Sequence, residues 1–412
     1  KGTRRVRIQE LQLLARHYGL SVNALLRREA VHTDLVPRFR KMRETEDDHT
    51  LEAVELLNDL VKAEVELENV LGIERRRHYP PEKGINQGDV VELPYPECGP
   101  DDAIVRNLMA GVCGSDIAAW QHGGDDNMIW QDHEFGHEAI SEVVELGANV
   151  KGLSIGDRVF INQGKALRDM RRMATVGSFS EYVRIPQCEV GYSLLPVDNA
   201  IPVKVAVLVE PFVIGARGAK SLDPGPGKSA IVFGGGIIGL SAAIMLQWWG
   251  CDKVMLVDIS EFRLENARRM GLVTCNPAKE DLKARAIAEF GSQQGFFGES
   301  CGAQLYVDAI GLPVAIENFS MLAGREARLA IVGVHHKPAE LDLLKVCYSN
   351  WHIGGCGNLD IEAAIPEIVE MMKSGRYDLA SLVTHEYPVD RIAEALTMGG
   401  NSGEAQKVCI AF

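Results

Sequence analysis

Residues 229–239 read SAIVFGGGIIG. A short apolar stretch leads into a glycine cluster, and a helical pattern follows near Ile238–Trp248. Gly234, Gly236 and Gly239 fit the spacing G-x-G-x-x-G between a strand and a helix. The first glycine permits a tight turn, the second lets the backbone approach a pyrophosphate, and the third lets helix and strand pack closely. The stretch therefore predicts a parallel α/β sheet with a dinucleotide site.

The same site extends beyond the glycines. The helix start at Ile237 and Ile238 offers unpaired N–H groups to phosphates. Asp258 ends the next predicted strand, 19 residues after Gly239. A carboxylate there accepts hydrogen bonds from ribose hydroxyls and repels a 2′-phosphate, which favours NAD over NADP. The alternative is a glycine-rich turn in a similar fold that binds no nucleotide.

Strands and helices alternate along the rest of this region, which predicts right-handed crossovers in a parallel sheet. The predicted elements are strands Ala230–Phe233, Val254–Val257, Leu305–Val307 and Leu329–Val332, and a second helix Glu261–Met270. From Val90 onward, by contrast, short apolar alternations with Gly and Pro between them indicate an antiparallel β domain.

Three stretches carry groups that bind zinc. They are VCGSD at 112–116, GHE at 136–138 and VEPF at 209–212. A thiolate, an imidazole and carboxylates are ligands that zinc accepts, and a catalytic site keeps one position open. Taken singly, the cysteine and the histidine have an alternative interpretation as ordinary buried residues, and the glutamates as surface charges. Their combination upstream of a dinucleotide site favours a zinc centre that polarises an alcohol oxygen.

Composition excludes several classes of partner. The chain has 412 residues and a net charge of −14, which argues against nucleic acid or an anionic membrane as the main partner. No apolar run approaches the roughly 20 residues of a membrane helix. Nine cysteines without a CxxC pair indicate reduced thiols in a cytoplasmic protein.

Several runs resemble zinc-dependent medium-chain alcohol dehydrogenases, in the branch of sorbitol and threonine dehydrogenases. They are CGSD at 113–116, WQHG at 120–123, GHE at 136–138, GSFSEY at 177–182 and VEP at 209–211. The resemblance implies an α/β fold in which a GroES-like β-rich catalytic domain (84–212 and 356–412) carries a Rossmann NAD-binding domain (213–355). A small all-α segment, 1–83, would precede them.

The resemblance also implies roles for the metal-site residues. Cys113, His137 and Glu210 would hold one catalytic zinc per chain, with Glu138 as a direct or water-mediated ligand. Ser115 would hydrogen-bond the substrate hydroxyl, and Asp116 would orient His137.

For the cofactor, the resemblance places Arg263 near the adenosine and Val334 in the NAD site. It implies hydride transfer between a small-molecule alcohol and NAD in a dimer or tetramer.

Departures from the family leave the substrate open. Residues 161–176 contain no cysteine, so a second, structural zinc is not expected. Ala118 stands where the family often has a relay histidine, and Ala119 where sorbitol-type enzymes have tyrosine. A polyol, an amino alcohol and a secondary alcohol all remain possible substrates.

Residues 1–83 differ from the remainder. They carry 16 basic and 15 acidic residues and show helical periodicity. They resemble a truncated phage-repressor-type helix-turn-helix protein. The alternative function is therefore a DNA-binding regulator with a dehydrogenase-like sensor body, and a zinc-free reductase is a third possibility.

Overall fold

A computed structural model describes residues 90–123, 129, 134–169, 172–356 and 361–412, without the side chains of 361–363. The chain divides between Ile85 and Asn86 into two units. The helical segment expected at 1–83 and its helix-turn-helix resemblance lie outside the described residues. No strand forms between Val90 and Asp102, and the β domain begins at Ala103.

The first part of the described chain forms five strands and three helices. These are β1 (Ala103–Gly111), α1 (Gly114–His122), β2 (Glu138–Leu146), β3 (Arg158–Ile161), β4 (Tyr182–Ile185), β5 (Leu194–Pro196), α2 (Val203–Ala206) and α3 (Val209–Lys220).

The middle part alternates strands and helices as the sequence predicted. It contains β6 (Ser229–Phe233), α4 (Ile237–Trp248), β7 (Lys253–Val257), α5 (Glu261–Arg269), β8 (Val273–Cys275), α6 (Leu282–Phe290), β9 (Ser292–Gly295), β10 (Gly298–Cys301), β11 (Leu305–Asp308), α7 (Pro313–Leu322), β12 (Arg328–Ile331), α8 (Leu343–Ser349) and β13 (His352–Gly355).

The last part returns to the first sheet. It contains α9 (Ile361–Lys373), β14 (Val383–Pro388), α10 (Ile392–Gly399) and β15 (Lys407–Ala411), with 3₁₀ turns at Leu379–Leu382 and Val389–Arg391.

Two large sheets result. The first has seven strands in the order β14-β15-β1-β2-β3-β5, with β4 also paired to β1. Its pairings are antiparallel except for the parallel pair β14–β15. The second has six parallel strands in the order β13-β12-β11-β6-β7-β8. The α/β class and the predicted parallel sheet are confirmed, while the domain boundaries at 84, 213 and 356 stay a prediction.

One apolar core is shared by the two sheets. Helix α3 is buried along most of its length and packs against α4. A Cβ on Gly215 would overlap Ser241 Oγ and lie 2.6 Å from the backbone nitrogen of Ala242. Glycine at this position therefore sets the distance between the two helices. No helix in the described ranges combines the length and apolarity needed to cross a membrane.

Gly215→Val should lower the free energy of unfolding by about 1–3 kcal/mol, because the added atoms meet backbone that cannot move aside. The measurement is the urea midpoint by circular dichroism. Gly225→Val is the matched control, since nothing lies within 4 Å of a Cβ there. Equal midpoints for the two variants would contradict the packing argument.

Candidate metal and dinucleotide site

Three of the predicted metal ligands meet at one end of the first sheet. A sulfur of Cys113, a ring nitrogen of His137 and a carboxylate oxygen of Glu138 lie within 4.8 Å of one another. Cys113 is the N-cap of α1, just beyond β1, and Glu138 begins β2 opposite Gly111. Because β1 and β2 are antiparallel, the end of one and the start of the other are adjacent.

His137 is placed by its glycine neighbour and by Asp116. Gly136 has φ +82°, and a Cβ there would lie 2.7 Å from the ring of Phe179. Asp116 is fully buried; its Oδ2 accepts a hydrogen bond from the Cys113 backbone nitrogen at 2.9 Å. Its Oδ1 lies 3.4 Å from His137 Nδ1. Burial lowers the pKa of His137, but Asp116 and then Cys113 outweigh burial and raise it well above its ordinary value.

Glu210 lies in the first turn of α3 and is buried, but falls outside the three-residue cluster. Gln163 Nε2 donates a hydrogen bond to its Oε1. Burial, followed by the negative charge of Glu138, raises the pKa of Glu210 to about 7, whereas His137 and Gln163 act in the opposite direction. The fourth expected ligand is therefore close enough to interact electrostatically with the cluster.

A buried lysine that the sequence analysis missed also contacts the cluster. Lys407, at the start of β15, forms an ion pair with Glu138 Oε2 and donates to the Val112 carbonyl at 2.9 Å. Burial lowers the pKa of Lys407, but the charge of Glu138 outweighs this and raises it above its ordinary value. A single lysine 269 residues from its partner gives no local signal in the sequence.

The donor set fits zinc. Glu138 Oε1 is buried without a hydrogen-bond partner among the described residues, whereas Asp116 Oδ1 and His137 Nδ1 face each other at 3.4 Å. A thiol, an imidazole and carboxylates at this separation match the ligand types of a catalytic zinc site. Cys113 and Ser115 are half-buried and border solvent, so a small molecule can reach the cluster.

The glycine turn has the conformation that a dinucleotide requires. Gly234 has φ +103°, and a Cβ on Gly239 would overlap the Gly234 carbonyl oxygen. The turn leads into α4, whose first residues, Ile237 and Ile238, are partly exposed. Gly236 is the N-cap of this helix, so the free N–H groups of the first turn face the space beyond the strands.

Asp258 directly follows β7 and contacts this turn. Its Oδ2 accepts a hydrogen bond from the Gly235 nitrogen at 2.6 Å, and its Oδ1 accepts one from the Ser260 nitrogen at 2.7 Å. An Arg263 guanidinium nitrogen lies 4.0 Å from Asp258 Oδ2. The two residues predicted to face the adenosine are thus neighbours.

Val334, the last of the predicted cofactor residues, follows β12 and is 71% exposed. The sequence analysis missed a pair beside it. Asp308, fully buried at the end of β11, accepts hydrogen bonds from the backbone nitrogens of Ile310 and Gly311 and lies 2.6 Å from His335 Nε2. This pair joins the turns that follow two neighbouring parallel strands, where such sheets bind ligands.

The last strand also touches the glycine turn. The Gln406 side chain donates to the Gly235 carbonyl at 2.9 Å and accepts from Asn266 Nδ2 at 3.1 Å. Nearby, Ser260 Oγ donates to the Ser402 carbonyl at 2.8 Å. Consecutive residues, Gln406 and Lys407, therefore contact the dinucleotide turn and the metal cluster.

Comparisons with known proteins support the fold and identify two domains. Residues 99–194 match the alcohol dehydrogenase GroES-like domain, and residues 238–374 match the zinc-binding dehydrogenase family. An L-threonine 3-dehydrogenase of Shewanella woodyi is 28% identical over 349 residues, which cover 80% of this chain and 97% of the relative.

Two solved structures share the fold. The 2R,3R-butanediol dehydrogenase of Bacillus subtilis superposes with a TM-score of 0.67 at 23% identity, covering 78% of this chain and 95% of that one. An alcohol dehydrogenase of Escherichia coli CFT073, solved with NADH, superposes with a TM-score of 0.66 at 22% identity, covering 78% of this chain and 95% of that one.

The two domain matches together span more than half of the 412 residues. The alternative of a DNA-binding regulator gains no support from any of these comparisons. The resemblance drawn from the motifs is confirmed: the chain belongs to the family of zinc-dependent alcohol dehydrogenases.

Proposed function

We propose that this chain oxidises a small secondary alcohol with NAD, at a single zinc held by Cys113, His137, Glu138 and Glu210. The observation that carries the proposal is the cluster of Cys113, His137 and Glu138, which belongs to the same compact unit as the glycine turn at 234–239. Zinc in such a site polarises the alcohol oxygen and lowers its pKa.

The protein's own groups position the substrate and the ligands. Asp116 orients His137 through the 3.4 Å approach of its Oδ1 to Nδ1. Ser115, half-buried in the first turn of α1, hydrogen-bonds the substrate hydroxyl. Ala118 cannot carry the proton onward, so the proton leaves from Ser115 to solvent.

The substrate class follows from the relatives' names. L-Threonine and 2R,3R-butanediol each carry a secondary hydroxyl beside a second polar group. We extend this shared chemistry to the chain. The test is a panel of amino alcohols, vicinal diols, polyols and primary alcohols, followed by NADH absorbance. Turnover of primary alcohols alone would refute the secondary-alcohol assignment.

The cofactor is held by Gly234, Gly236, Ile237, Ile238 and Gly239 against the pyrophosphate, with Asp258 and Arg263 at the adenosine and Val334 at the nicotinamide. Asp258 is the basis for preferring NAD, because its carboxylate repels a 2′-phosphate.

The cellular setting rests on the thiols. All nine cysteines are free in the described part of the chain, which supports a cytoplasmic location. We also propose a homo-oligomer formed through an edge of the six-stranded sheet, where β13 pairs only with β12 among the described strands.

Cys113→Ser should abolish most activity and reduce zinc from one per chain to near none, because a hydroxyl is a far poorer zinc ligand than a thiolate. Zinc is measured by atomic absorption and folding by circular dichroism. Cys347→Ser, the same change at an exposed cysteine, is the matched control. Full zinc content in the Cys113 variant would remove this residue from the ligand set.

Asp258→Asn should narrow the preference for NAD over NADP while the turn stays intact, because the amide oxygen still accepts from Gly235 but no longer repels phosphate. A hydrogen bond to a charged group contributes roughly 1.5–3 kcal/mol, so kcat/KM with NAD should fall about 10-fold or more. Asp252→Asn is the matched control, because the Asp252 carboxylate also accepts a hydrogen bond from a glycine backbone nitrogen, that of Gly227, but lies outside the turn at 234–239. Equal use of both cofactors by the unmodified protein would refute the assignment.

Glu210→Gln should stabilise the metal-free protein at pH 8 but not at pH 4. The ordinary pKa of 4.5 rises to about 7 in the fold, so between these values the folded chain keeps a proton that the unfolded chain has lost. Stability therefore falls as pH rises through this window, and the loss of about 3 kcal/mol is complete above it.

The measurement is the thermal midpoint of the chelator-treated protein across this pH range. Glu299→Gln, at an exposed carboxylate, is the control. A gain in midpoint that is the same at pH 4 and pH 8 would show that the carboxyl of Glu210 is not the source.

A further inference from the structure

The ion pair between Lys407 and Glu138 is fully buried. The two side chains are each 1% exposed, and Lys407 Nζ also donates to the Val112 carbonyl. Transferring two charges from water to the interior costs several kcal/mol per ion, and replacing such a pair by apolar residues is often neutral or stabilising. A contribution to fold stability therefore explains this buried pair poorly. Its position beside the metal cluster explains it better.

The surrounding backbone makes room for the pair. At Gly111, opposite Glu138 on the neighbouring strand, a Cβ would overlap Glu138 Oε2 and lie 2.6 Å from Lys407 Cε. Any larger residue at position 111 would separate the ammonium from the carboxylate.

The chain that carries Lys407 is held on both sides of this residue. Its backbone pairs with Val383 of β14, and the next residue, Val408, accepts a hydrogen bond from the Val112 nitrogen at 2.9 Å. The preceding side chain, Gln406, is held by Gly235 and Asn266. These contacts hold the chain on either side of Lys407, while Glu138 and the Val112 carbonyl hold the ammonium itself.

The consequence concerns the two oxygens of Glu138. Oε2 is occupied by Lys407, whereas Oε1 is buried without a hydrogen-bond partner among the described residues. Glu138 can therefore offer a metal one oxygen but not both. With Cys113, His137, Glu138 and Glu210 each giving one atom, the metal would be four-coordinate and the substrate hydroxyl would take a fifth position, which a carboxylate bound through both oxygens would fill.

Building on the proposed zinc site, we propose that Lys407 is a positioning residue of the metal centre: it holds Oε2 of Glu138, limits this carboxylate to a single oxygen and keeps a coordination position open for the substrate hydroxyl. If Lys407 only stabilised Glu138 as a ligand, its loss would weaken metal binding, because losing a residue that hydrogen-bonds a metal ligand typically costs roughly 10- to 100-fold in metal affinity. Loss of Lys407 should instead leave the metal held at least as tightly.

The experiment uses the full chain with Co²⁺ in place of zinc, because four-coordinate Co²⁺ absorbs visible light more strongly than five- or six-coordinate Co²⁺. Lys407→Met should weaken these bands, slow zinc release to a chelator and lower kcat by roughly 10-fold or more. Lys407→Arg should resemble the unmodified protein, because its guanidinium still holds Oε2. Lys407→Gln, which keeps a donor for the Val112 carbonyl without the charge, provides the same readout if the Met variant does not fold.

A double-mutant cycle isolates the route through Glu138. In the Glu138→Gln background the amide cannot bind through two oxygens, so Lys407→Met should no longer change the Co²⁺ spectrum or the release rate. Faster zinc release from Lys407→Met, an unchanged Co²⁺ spectrum, or a change that persists beside Glu138→Gln would each overturn the inference. An unmodified protein that binds neither zinc nor Co²⁺ would instead refute the proposed function itself.

Discussion

Negative charge gathered at one buried end of the first sheet is the constraint on which the rest of the site depends. Asp116, Glu138 and Glu210 are each less than 5% exposed, and the Cys113 thiol lies beside them. Burying carboxylates is costly unless each finds a compensating partner. The fold supplies a backbone N–H for Asp116, an amide for Glu210 and an ammonium for Glu138.

These partners do not balance the site completely. Glu138 Oε1 keeps no hydrogen-bond partner within the described ranges, and the pKa of Glu210 is raised to about 7 by burial and by the charge of Glu138. A divalent cation removes both costs at once. Metal binding is therefore coupled to the stability of this region, as expected where a set of ligands is assembled before the metal arrives.

Much of this could be predicted because its signals are local in sequence. The turn at 234–239 is predicted by the spacing of its glycines. Asp258 is predicted by its distance along the chain from that turn. The cluster of Cys113, His137 and Glu138 is split over only 26 positions and carries a recognisable pattern. Four of the six parallel strands were predicted to within a residue at each end, because short apolar runs between helical patterns have few other interpretations, whereas β8 and β13 were not predicted.

Other features could not be predicted, since they depend on side chains brought together by the topology. Lys407 reads as a solvated charge at the start of a terminal strand, and only its pairing beside β1 buries it against Glu138. The contact of His335 with Asp308 likewise requires knowing that β11 and β12 are adjacent. Glu210 was predicted as a zinc ligand and stays a prediction, because its separation from the other three residues depends on how α3 packs.

The topology also explains why one strand serves both halves of the site. The parallel sheet is inserted in sequence between β5 and β14, so the chain must return to the first sheet after completing the dinucleotide turn. The returning strand β15 lies next to β1, whose end leads into Cys113. Gln406, the residue before β15, contacts the glycine turn, and Lys407, the first residue of β15, contacts Glu138. Any shift of β15 relative to β1 would therefore change the metal cluster and the dinucleotide turn together, which makes this strand the physical link between the two.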